Sequence, residues 1–346
     1  MFVTPGDYGQ ILEVPASVTY ADKTWQVDGI QENALETCDK LTAVIWNPAA
    51  PFGAIVSNPN LLLYVKDSNY VRWAIPNIVV DGTAPSITLT DASSGNDFYC
   101  PKAFKAEKIS FTHNYKMETG LVDSRGWETI ALPFDVQKIT HSSAGEIVPF
   151  KRWASDSEKK AFWLYELTAS GYQESDAIKA NTPYLISMPN NSLYKKDYRL
   201  AGKVTFSAEN AEVKVSGNLN SSKHSDRTFV PNFINQNNDS FLELNANNDI
   251  ITYRPDDKGS KFIKGLRSVH PFEAYMTSTS GTRSISIADE MTTDIKGVAE
   301  MADETQTIRV YDLKGILVKT ATSIKEAQQG LQTGIYFVNG KKIIIK

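Results

Sequence analysis

Cysteine is nearly absent from this chain: Cys38 and Cys100 are the only two in 346 residues. That excludes a disulfide framework. One bond is the most the pair can form, and two buried free thiols are the expected state, because unpaired cysteine packs as a small hydrophobe. Histidine is almost as scarce. His113, His141, His224 and His270 lie far apart, and no two have metal-ligand spacing, so no metal site is expected. Positive charge is not in excess. A net charge of −4 and a pI near 5.7 disfavour nucleic acid as a partner, since phosphate binding requires a basic face. No apolar run approaches the roughly 20 residues of a membrane-spanning helix. The opening MFVTPGDYGQ has neither a basic nor an apolar leader segment, so no signal peptide is read there. Gly-x-Ser-x-Gly, His-Glu-x-x-His, phosphate-binding Gly-Lys-Ser/Thr and Gly-x-Gly-x-x-Gly are all missing, and no cofactor is expected.

What is present suits a mainly β globular protein of two or three domains. Val18-Thr19-Tyr20 and Thr24-Trp25-Gln26-Val27 flank Ala21-Asp22-Lys23 and predict a hairpin. Ile30, Ala34, Leu35, Cys38, Leu41 and Val44 then recur at gaps of three and four, which predicts a short one-sided helical turn followed by a strand over 41–46. Such a unit needs stacked neighbours to bury its apolar side. Leu61, Leu63 and Val65 give a weaker echo.

Ala34-Leu35, Cys38, Leu41 and Val44, with the hairpin before them, resemble the BspA-like leucine-rich repeats of bacterial surface proteins, Leu35 standing where that family has Phe. The resemblance implies that residues 1–82 are the capped end of a reduced repeat array. Residues 83–290 differ. Apolar runs such as Lys108 to Thr112, Trp127 to Leu132, Ala161 to Tyr165, Tyr184 to Met188, Lys203 to Ser207 and Ala211 to Val215 alternate with Gly, Pro and Asn turns. They predict a β-sandwich or jelly-roll-like body. GWETIALPFDV, IKANTPYLISMPN and VHPFEAYM resemble modules that follow such repeats in surface proteins of gut Bacteroidetes.

Residues 291–305 are acidic, poor in aromatics and read as a linker. After it, 306–311 alternates as a strand, Asp312 to Gly315 turns, and a hairpin closes the chain around Asn339-Gly340. This stretch resembles the type A C-terminal sorting domain of Bacteroidetes secretion, a small Ig-like β domain, at Tyr311, Gly315, Gly334, Tyr336, Gly340, Lys341 and Lys342. The resemblance implies export machinery as a partner and a secreted or outer-membrane surface location.

Candidates for chemistry are few. Glu128 and Glu166 are the carboxylates to weigh for glycoside hydrolysis, which needs two carboxyls flanking a sugar. Alternation sets Glu128 opposite Trp127, so a solvent-facing charge is the expectation for it. His141 beside Ser142 and Ser143 reads as a loop. Asp256-Asp257 and the Asn-rich stretches 232–240 and 245–249 could offer oxygens to calcium, but read better as polar turns. Trp73, Trp153 and Trp163 stand near Arg or Lys. Each is either a core residue or an exposed platform for a sugar or a protein. The leading expectation is a non-catalytic adhesion or ligand-binding protein, its partner a host or matrix protein. The alternatives are a glycan-binding component of polysaccharide capture and a carbohydrate-active enzyme.

Overall fold

In the computed structural model the described residues are 2–71, 75, 77–91, 96–120, 125–153, 158–237, 251–264, 267–279, 284–287, 308–321, 324–338 and 341–345. The protein is mainly β.

Four apolar runs build the N-terminal layer. Ile11–Val14, Ala43–Trp46, Leu62–Val65 and Ile78–Val80 lie side by side and parallel, with Ala43 opposite both Ile11 and Leu62, and Leu63 opposite Ile78. Ala43–Trp46 and Leu62–Val65 are buried at every position. Strands covered on both faces read as unbroken apolar stretches rather than as alternation. Successive side chains still part to opposite faces. Val44, Trp46, Leu63 and Val65 join Leu35, Cys38 and Leu41 in one core, while Ala43, Ile45, Leu62 and Tyr64 enter a second, larger one. The expected helical turn is instead a chain of tight turns, Ala34 N–H to Gln31 O, Cys38 N–H to Leu35 O and Leu41 N–H to Cys38 O. Its one-sided burial is as the spacing predicts.

Side-chain amides close the turns between these strands. Asn60 Nδ2 donates to Thr90 O (2.8 Å) and Asn96 O (2.7 Å), and its Oδ1 accepts from Thr90 N–H (2.9 Å). Asn77 binds Thr88 and Pro59 in the same manner, and Asn58 binds Leu41 O and Asp97 O. All three are buried. They satisfy backbone groups that short parallel crossovers would otherwise leave bare.

The sheet continues past residue 82. Asp81 and Gly82 take positive φ in a hairpin turn that pairs Val80 with Thr83. Thr83–Ala84 and Ile87–Thr90 then pair with Phe104–Tyr115. That long strand runs antiparallel to Gly202–Val213, so the two runs expected separately at 203–207 and 211–215 are one strand, with Asn210 at φ 51° between them. Onward the order is Lys138–His141, Gly145–Pro149, Lys160–Thr168, Tyr184–Ser187 and Glu128–Ile130, completing a 14-stranded sheet. A six-stranded sheet including Arg227–Pro231 and Ala274–Ser278 packs on it through a third core. Trp127, Trp163, Tyr165 and Leu185 face Phe229, Tyr253, Phe262 and Met276 there.

The C-terminal sheet has four strands, ordered Leu317–Ala321, Ile308–Asp312, Gly334–Val338 and Lys341–Ile345. Asp312 Oδ1 accepts from Lys314 and Ile316 N–H, and Gly315 at φ 77° completes the turn. Tyr311 pairs with Phe337 and Leu317, and Tyr336 with Ile343. Gly334, Lys341 and Lys342 fall in the closing hairpin, paired with Ile345, Val338 and Phe337. Gly340 and the linker 291–305 lie outside the described residues.

Candidate functional site

The large sheet folds back on itself. Glu128–Ile130 is six strands away from Phe104–Tyr115 along the hydrogen-bonded order, yet the two meet in space. A cavity of about 200 Å3 opens where they meet, lined by Asp91, His113, Tyr115, Glu128, His270 and Phe272 among others. Local packing aims Glu128 into it. Trp127, its neighbour, is buried in the opposite core. Ala131 N–H donates to Phe272 O (2.8 Å), and Thr129 Oγ1 accepts from Ala274 N–H (2.9 Å). Alternation then leaves one direction for Glu128. The expectation of a solvent-facing charge is corrected: its side chain is only 20% exposed and bonded to His113, because the face opposite Trp127 is covered by a second layer.

His113 sits between two carboxylates. Its Nδ1 bonds Asp91 Oδ2 and its Nε2 bonds Glu128 Oε2 at 2.8 Å. Burial by itself would lower its pKa, but the bonds to Asp91 and Glu128 and their charges prevail and raise it to about 10. The ring is thus an imidazolium near neutral pH, with both N–H groups committed and no lone pair for base catalysis. Tyr115 meets it edge to face at 4.4 Å. Tyr115 is 3% exposed, and its hydroxyl makes no hydrogen bond among the described residues. Burial, then the charges of Glu128 and Asp91, push its pKa well up.

The other wall comes from residues 267–273. Arg267 grips Glu273 with two bonds (3.0 and 2.6 Å), and Glu273 Oε2 also accepts from His270 N–H (2.9 Å). Phe272 has a φ of 68°, unusual for a bulky residue. Its N–H is held by Asn232 O, and Asn232 Nδ2 donates to His270 O (2.9 Å). His270 Nδ1 is buried with no partner among the described residues.

The residues singled out from sequence fall elsewhere. Trp163 is 1% exposed in the third core, against Tyr194, so the platform role is corrected to a packing one. Trp153 is half-buried: it stacks on Phe150 (5.4 Å) and donates Nε1–H to Lys159 O (3.0 Å). Trp73 lies outside the described residues. Glu166 pairs with Tyr184, two strands away from Glu128, so the two carboxylates are not brought together. His141 is buried, accepting from Ser143 and Ala144 N–H in a turn. Asp256 caps Ser260 and Lys261. Among the described residues no group of three His, Cys, Asp or Glu is placed to hold a metal ion. Cys38 and Cys100 are both free and buried, and burial raises the Cys100 pKa to about 11.

Exposed aromatics occur where the sequence reading placed only a hairpin. Ser17–Tyr20 and Lys23–Gln26 pair around Ala21 and Asp22, both at positive φ. Tyr20 is 78% and Trp25 53% exposed. The pairing sets Val18 opposite Trp25 and Tyr20 opposite Lys23, all on one face. Val18 reaches the core beneath, while the two rings extend beyond it. The signal was in the sequence: a hairpin of only four residues per strand has no second layer to cover it.

Comparison of the chain with protein-family models, with curated proteins and with solved structures gives no match.

Proposed function

We propose that this is a secreted or outer-surface, non-catalytic binding protein that grips a host or matrix protein through exposed aromatics on a rigid β scaffold. The observation that carries this reading is the pair Tyr20 and Trp25, large amphipathic rings standing on one face of a projecting hairpin and not used by the core. Such rings supply contact area at low entropic cost. The scaffold beneath is stiff, because the neighbouring parallel strands are buried on both faces. The saturated imidazolium at His113 also suits a protein without acid–base chemistry there. In this reading the C-terminal four-stranded sheet serves as the export label.

Purified protein and its Tyr20→Ala/Trp25→Ala variant, screened on matrix-protein and glycan arrays, test the proposal. Binding to matrix proteins that the variant loses supports it. Binding to glycans alone would replace it with polysaccharide capture, and binding undiminished in the variant would remove the hairpin from the site. For location, removing residues 306–346 should leave the product inside the cell; unchanged delivery overturns the export role.

A further inference from the structure

The cavity between Phe104–Tyr115 and Glu128–Ile130 has a chemistry of its own, independent of the hairpin. Its charges do not balance. His113 carries one positive charge between the two negative ones of Asp91 and Glu128. Arg267 and Glu273 cancel each other in a two-bond pair. One negative charge is left, in a space walled by Phe111, Tyr115 and Phe272.

Most of the hydrogen-bonding positions left open in this cavity are acceptors. Asp91 and Glu128 each give one oxygen to His113, and among the described residues no hydrogen bond reaches the second. Among the described residues the Tyr115 hydroxyl has no partner although its ring is almost wholly buried, and His270 Nδ1 is buried and unpaired. A carboxylate can only accept, and a tyrosine hydroxyl can accept as well as donate. In the wall the His113 imidazolium is engaged by Asp91 and Glu128, and behind it the Arg267 guanidinium is engaged by Glu273. The group that best meets the open carboxylate oxygens and the surplus negative charge is a donor bearing positive charge.

We propose that this cavity binds a small organic ammonium ion, its N–H groups on the free oxygens of Asp91, Glu128 and Tyr115 and its carbon chain against Phe111 and Phe272. A space of about 200 Å3 lies below the roughly 300–1,000 Å3 of drug-sized sites, so the ligand is small or is the tip of a larger molecule. Aromatic walls favour a cation further through their ring quadrupoles. An anion would meet net negative charge, with the His113 and Arg267 cations already bound to carboxylates. A neutral polyol brings as many acceptors as donors, and the walls supply few donors. The same group could arrive as a free amine or as a lysine side chain of a bound protein.

Titration calorimetry with n-butylammonium chloride tests this, with n-butanol and sodium butyrate as the uncharged and oppositely charged analogues. Saturable binding of the ammonium, with neither analogue binding, supports the proposal. Equal binding of butanol, tighter binding of butyrate, or no saturation with butylammonium overturns it. Tyr115→Phe is the decisive variant, because its hydroxyl holds no group among the described residues and the fold should survive its loss. The affinity should fall several-fold, and by about tenfold or more in Glu128→Gln, as for lost charge-assisted bonds. Unchanged affinity in folded Tyr115→Phe removes the site from the cavity. A parallel titration with Nα-acetyl-lysine amide separates the sources: binding as tight as butylammonium's points to a protein lysine, and much weaker binding points to a free amine. Failure here leaves the hairpin proposal standing, since Tyr20 and Trp25 are no part of this cavity.

Discussion

His113 Nε2 donates to Glu128 Oε2 at 2.8 Å, tying together two strands that stand six apart in the sheet order. The bond matters for stability because the ring keeps its proton in the fold at pH values where the unfolded chain releases it. The folded pKa is about 10, against an unfolded value of 6.5. A raised folded pKa gives stability that is complete below the unfolded pKa and lost as pH rises through the folded one. The unfolding free energy from urea denaturation should fall between about pH 6.5 and pH 10, by an amount on the order of 3–5 kcal/mol. His113→Gln should flatten that slope. His141 acts on the other flank: burial lowers its pKa, so its contribution is present above 6.5 and lost as pH falls.

Asn60 holds both backbone groups of Thr90 through one side chain, and also Asn96 O. Asn60→Leu has similar volume and none of these bonds. Buried N–H and C=O groups would be left unpaired at about 1–3 kcal/mol each. A loss of roughly 3–5 kcal/mol in chemical denaturation is expected, with Asn60→Asp nearly as harmful because a carboxylate cannot donate.

Gly259 has φ +61° and lies so close to Trp127 that an added Cβ would fall 2.2 Å from Trp127 O and 2.5 Å from Trp127 N. Gly259 O also accepts from Trp127 N–H at 3.0 Å. Gly259→Ala should therefore shift the backbone just before Glu128 and destabilise by more than about 2 kcal/mol. Thermal unfolding measures this. A Tm equal to the parent's would show that the contact yields easily.

Trp163 and Trp25 make an opposed pair. Trp163→Ala empties a fully buried site and should lower stability by about 3–5 kcal/mol. Trp25→Ala removes an exposed ring and should change stability by about 0.5 kcal/mol or less. Binding to a captured partner should follow the reverse order, which denaturation and array binding together would reveal.

Much of the architecture was legible because burial leaves periodicity. The run Ala43–Trp46 and the three-and-four spacing of Ala34, Leu35, Cys38 and Leu41 mark buried faces whatever the backbone between them does. The closing hairpin was legible from Asn339-Gly340 and its flanks, and its strands pair from Val338 opposite Lys341 to Gly334 opposite Ile345. Helix and chained turns, by contrast, share the same one-sided spacing, so 31–41 was misread in backbone and right in burial. The site was hidden for a different reason. Asp91, His113 and Glu128 come from three separate segments, and their meeting depends on a sheet returning over six strands, which no local pattern encodes. Trp163 and Trp25 both look like half-covered strand residues in sequence. Only the presence or absence of a second layer separates them.

Phe104–Tyr115 is flanked on one side by Thr83–Ala84 and Ile87–Thr90, which follow the Asp81-Gly82 turn without a break in pairing. The Tyr64 hydroxyl reaches across that join to Lys102 O (2.9 Å), and its ring lies against Phe104. Gene recombination cutting at residue 82 would strip Tyr64 from this join and bare Phe104 and Cys100 to water.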